Sequence, residues 1–84
     1  MPAHETPDPV YHVAHPAVQH HKAAIRHLEH AAEQHREAVV HLERGEQATA
    51  LALAQQAMAS GGEAVAAAHE AVRVHQDHRR TQRP

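Results

Sequence analysis

Twelve of the 84 residues are histidine, and many of them recur at intervals that a helix would bring together. Imidazole is the commonest metal-ligand side chain. On a helix, residues three or four apart stand about 5–6 Å apart at Cβ, near enough to share one ion. His12/His15, His27/His30 and His75/His78 have the three-residue spacing. One surface histidine is ordinarily a solvated side chain; twelve at such spacings call for a reason. The segments HHKAAIR, HLEHAAE, QHREAVV and HLERG form a seven-residue repeat whose first position is His20, His27, Gln34 and His41. Its second position alternates His21, Leu28, His35, Leu42. A heptad drifts only about 20° per repeat on a straight helix, so His20, His27 and His41 share one side, while His21 and His35 fall on the apolar seam. Carboxylates lie near several of these rings: Glu33 one turn from His30, Glu37 one turn from His41, Glu5 and Asp8 near His4. They could ligate an ion directly or accept a hydrogen bond from the second ring nitrogen.

With no cysteine there is neither a thiolate site nor a disulfide framework. Imidazole with carboxylate suits Cu(II), Ni(II), Zn(II) or Co(II), and the Irving–Williams order favours Cu(II). Met1 and Met58 are too few for a methionine-rich Cu(I) site. Catalytic constellations are missing. No Glu-x-x-His or His-Glu-x-x-His occurs, Ser60 is the sole serine, and there is no phosphate-binding glycine loop, so no enzyme is expected. Protonating every histidine would carry the charge from −2 to +10, which makes pH near 6.5 a strong variable. A rival reading follows from this, a pH-responsive helical interaction module loosened when His21 and His35 become charged. Arg79, Arg80 and Arg83 lack interleaved aromatics and read as a solvated end, not a nucleic-acid patch. No apolar run approaches the roughly 20 residues of a membrane span, and the alanine-rich faces lack the bulky residues of an interfacial helix. The start MPAHETPDP lacks the features of a signal peptide. A periplasmic location is expected if an export signal has been replaced by Met1, and a cytoplasmic one otherwise.

The elements that must hold these rings are helices. Residues 1–15, with Pro2, Pro7 and Pro9, read as an extended arm with a short helical turn over Asp8–Ala14. Pro16 suits the first position of the main helix. From Ala17 to Arg44 there is no Gly or Pro, and Val18, Ile25, Leu28, Ala32, Val39 and Leu42 trace a seam along about 42 Å. Gly45 stands where a left-handed cap belongs. A second helix is expected from Gln47 to about Arg80, with a seam of Leu51, Ala54, Met58, Gly61, Val65, Ala68, Val72 and His75. That spacing passes unbroken through Gly61-Gly62, which favours a bend over a reversal. The expected fold is therefore all-α: a long antiparallel helical hairpin with a Gly-Gly bend in its second arm, completing a four-helix bundle as a homodimer. The alternative is a monomeric three- or four-helix bundle. Residues 16–80 would form the metal-binding domain and 81–84 a tail. Folding about Gly45 opposes residues whose numbers sum to about 90. His21 then meets His69, His15 meets His75, and His12 meets His78. The open end would gather His12, His15, His20, His21, His69, His75 and His78. At the closed end His27, His30, His35 and His41 would face the histidine-free stretch Ala48–Met58, giving two-ligand, wetter sites.

The stretch HHKAAIRHLEHAAEQHREAVVHLERGEQATALALAQQAM resembles the small metal-binding protein family of nitrifying bacteria, with its repeat of the form H-x-x-x-A-[I/L/V]-x and no cysteine. The resemblance covers about half to two-thirds of the chain, by composition and period. It implies a four-helix bundle, a periplasmic location, several Cu(II) ions per chain with other divalent metals accepted, and a buffering or scavenging role. The positions that match the repeat are His20, His27, His41 and, less cleanly, His30 and His35. A histidine-free segment after Gly45 and an unusually long first helix depart from the family pattern.

Overall fold

Gly45 does what no other residue type does cheaply at this point. Its φ is +77°, in the left-handed region. Glu46 N–H donates to the His41 carbonyl at 2.8 Å and Gly45 N–H to the Leu42 carbonyl at 3.0 Å, the paired bonds of a Schellman cap. The computed structural model describes residues 15–81. Helix α1 spans Val18–Glu43 and helix α2 spans Gln47–Thr81, and the two pack against each other as an antiparallel hairpin closed by residues 44–46. Both helices were legible to within a residue or so. Pro16 sits in the turn ahead of α1, with Ala17 as the N-cap, so it precedes the first helical position by more than expected. Helix α2 continues through Ser60, Gly61 and Gly62 without reversing, which removes the three-helix alternative for this part of the chain. The expected turn over Asp8–Ala14 lies outside the described residues, as does His12.

The seam that closes the hairpin is not the expected one. Ala17 at the N-cap, Ala31 and Ala38 on α1, and Ala50, Ala57, Ala64 and Ala71 on α2 are buried, at multiples of seven residues along each arm. The partly buried Ala24 completes the α1 series. Ile25, Leu28, Val39, Leu42, Leu51, Met58, Val65 and Val72, expected to face each other inside the hairpin, are all more than 40% exposed. The physical reason is one of size. A stripe of methyl groups lets two helix backbones approach closely and collect dispersion contacts along their whole length, and branched side chains at the same positions would hold them apart. The bulky stripe lies beside the alanine stripe, about 100° round each helix, and is left uncovered.

One polar interruption crosses the alanine seam. Gln34 and Ser60 are buried; Ser60 Oγ donates to Gln34 Oε1 at 2.9 Å, and Gln34 Nε2 donates to Gln56 Oε1 at 3.4 Å. A slip by one heptad would set alanine on alanine again, but it would leave these groups unpaired in the interior, so they fix the register.

Candidate metal centre

The register of the hairpin decides which rings meet. Residues summing to about 90 do face one another, as in Gln34/Gln56 and His27/Glu63. At the open end four imidazoles gather, two from just before and within α1 and two from the last turns of α2. The His15 ring lies 4.7 Å from that of His75 and 4.5 Å from that of His78, and the His21 ring lies 5.2 Å from that of His75, all centroid to centroid. His21 Nε2 and His75 Nε2 stand 3.0 Å apart. His15/His75 is the expected cross-helix pair. His21 makes its contact with His75 and not with the expected His69. His69 is exposed and lines a shallow depression with Val72, Arg73 and Gln76.

Each ring is held by an ordinary local cause. The first amides of α1 have no side-chain cap, and Ala17 N–H instead donates to His15 Nδ1 at 3.0 Å. Arg73 is clamped by Glu70 and Asp77, and Arg80 by Asp77, which stiffens the last turns of α2 around His75 and His78. The Arg73 hydrogen bond holds the Glu70 carboxyl below its ordinary pKa, against the opposing effect of desolvation. His15 also titrates below its ordinary value; desolvation is the first cause, and the neighbouring His78, His75 and His21 add to it.

The remaining expected ligands separate into two kinds. His20, His27 and His41, the first position of the repeat, lie half-buried along the edge of the alanine seam. There they meet carboxylates: His27 Nδ1 is 3.2 Å from Glu63, His41 Nδ1 contacts Glu46, and the His20 ring acts electrostatically on Glu70. These carboxylates are other than the expected same-helix partners Glu33 and Glu37. Glu63 and Glu70 fall seven residues apart and sum with His27 and His20 to 90, so the folding register itself could have found them. Glu33 is occupied by Arg36. His30 and His35 are exposed, His30 outside the hairpin and His35 on the uncovered apolar face. His27 and His30 thus diverge despite their spacing.

Two nitrogens bound to one ion at about 2.0–2.1 Å stand about 2.8–3.0 Å apart at a right angle and about 3.3–3.4 Å apart at a tetrahedral one. The His21–His75 separation fits the former. Among the described residues no set of three or more His, Asp or Glu side chains stands ready to hold an ion as they are. The Nδ1 lone pair of His15 is taken by Ala17 N–H, and the contact between His21 and His75 has the length of a shared proton, which a cation would have to replace. Neither helix is long and apolar enough to cross a membrane. Comparison with known protein families, with characterised proteins and with solved structures returns no match to this chain.

Proposed function

We propose that this protein binds and buffers divalent transition-metal ions through histidine, Cu(II) foremost, with Ni(II), Zn(II) or Co(II) accepted. The observation that carries the reading is the approach of His21 and His75 to 3.0 Å, between residues 54 apart in the chain, with His15 and His78 beside them. Sharing a proton and sharing a cation ask nearly the same spacing of two imidazoles, and the ion brings more binding energy at neutral pH. His20, His27 and His41 with their carboxylates supply weaker, two-ligand sites. The likeness of the repeat to the small metal-binding family of nitrifying bacteria supports the same reading. The four-helix bundle belongs to this proposal as a homodimer, with Gly61 and Gly62 giving α2 the bend that two-copy packing would use. No catalytic role is proposed.

A second reading has its own support. His15 is held below its ordinary pKa by burial and by three neighbouring rings, as in a helical module that opens when those rings charge. Calorimetric titration of tag-free protein with Cu(II), Ni(II) and Zn(II) at about pH 7.5 decides between them. Binding with proton release is the expected result. No heat beyond dilution, together with a pH-dependent change in association, would leave only the second reading.

A further inference from the structure

The bulky stripe makes a face, not a scatter of exposed residues. Along α1 it runs Val18, His21, Ile25, Leu28, Ala32, His35, Val39, Leu42; along α2 it runs Leu51, Ala54, Met58, Gly61, Val65, Ala68, Val72, His75. The two lines lie side by side on one flank of the hairpin, and near the turn they border an apolar groove of about 640 Å³ whose lining includes Val39, Leu42 and Leu51. Every fully buried apolar side chain among the described residues is alanine, and most of the larger ones, Ile25, Leu28, Val39, Leu42, Leu51, Met58, Val65 and Val72 among them, are left in water. Such a periodic apolar face marks an interaction surface.

We propose that a second copy of this chain docks on this face, open end to open end, completing a four-helix bundle whose end layer is made of His21 and His75 from both copies. Area favours this occupant. Two helices about 10 Å wide over the roughly 39 Å of α1 present about 800 Å² per copy, or about 1,600 Å² in all, the size of a standard stable interface. Period favours it too, since a face repeating every seven residues is matched by a helix pair with the same repeat. The open-end alignment follows from the layers. With open ends together, the Ile25/Leu28/Val65 layer meets its own kind, and so does the His21/His75 layer. Reversed, His21 and His75 would press against Val39, Leu42 and Leu51 of the other copy, desolvating polar rings in an apolar layer. The alignment also brings two further imidazoles to a pair that has no converged third donor among the described residues of one chain. This coupling of dimer to ion rests on the proposed metal binding; the docking face itself does not.

Sedimentation velocity on the full chain at about pH 7.5, across the micromolar range in EDTA and then with Zn(II), tests both parts. The expected result is a dimer in EDTA whose dissociation constant falls about tenfold or more with Zn(II), a gain lost in His21→Ala/His75→Ala. Met58→Glu and Leu28→Lys/Val65→Lys should each give a helical monomer by circular dichroism. Met58 is 75% exposed, so that single change spares the hairpin's own core. A monomer under every condition, or a dimer indifferent to these face substitutions, would overturn the docking surface. A dimer unmoved by Zn(II), in protein that binds Zn(II) by calorimetry, would overturn the open-end alignment. Dimerisation without any metal binding would reject the proposed function while upholding the face.

Discussion

At the scale of single residues, the imidazoles act through their spacing and their protons. His15 binds its proton less readily in the hairpin than in the unfolded chain. The unfolded state therefore takes up more protons as pH falls, and the stability His15 contributes is complete above about pH 6.5 and lost as pH drops through its folded value. Metal-free protein should accordingly melt at a lower temperature at about pH 5.5 than at about pH 7.5, followed by circular dichroism in EDTA. Over the same interval proton competition for the imidazole ligands should weaken apparent Cu(II) affinity by about tenfold or more, read by calorimetry. Replacing His21 and His75 together should weaken the tightest Cu(II) site about tenfold or more, while His27→Ala/His30→Ala should change it less than about threefold; equal losses in calorimetry would remove the open end as the principal site. The histidine repeat was legible in the sequence, and so was the pairing of His15 with His75. The bond from Ala17 N–H to His15 Nδ1 was not, while the cross-helix carboxylates at Glu63 and Glu70 follow from the folding register and not from spacing within one helix.

At the scale of helices, the ends were legible and the packing faces were exchanged. Gly45 and the Gly- and Pro-free runs beside it set the boundaries by backbone chemistry that does not depend on packing. The choice of seam depends on packing alone. Ranking residues by hydrophobicity points to Ile25, Leu28 and Val65, whereas close helix approach selects Ala31, Ala38, Ala57 and Ala64. Gln34, the one break in the first position of the histidine repeat, makes sense only in the folded hairpin, where it meets Ser60. Alanine at Gly45 would have to hold a φ of +77°, costing about 1–2 kcal/mol. Alanine at Gly62 meets nothing within 4 Å and removes the helix penalty of glycine, a gain of about 1 kcal/mol. The melting temperatures of these two variants should move in opposite directions, by about 4–8 °C for each kcal/mol. Ala64→Leu should cost about 1–3 kcal/mol by wedging the backbones apart, although it adds hydrophobic surface; a rise in melting temperature would refute the small-residue seam.

At the scale of the whole molecule, two sets of contacts with different strengths divide the work. The alanine seam gives shape with little burial, and small domains of this kind gain much from a ligand or a partner. Cu(II) at about a hundred times its dissociation constant should add about 2.7 kcal/mol to stability, read as a higher melting temperature at about pH 7.5, and EDTA should reverse it. The hairpin's turn carries a consequence of its own. Both arms present the same kind of methyl stripe, so the partner of α1 need not come from its own chain. Three residues, 44–46, make the chain fold back on itself. Were that corner straightened into helix, the chain would become one long rod, and two rods lying head to tail would satisfy every methyl contact between molecules. Residue 45 thus decides whether helices exchange between molecules or each chain closes alone.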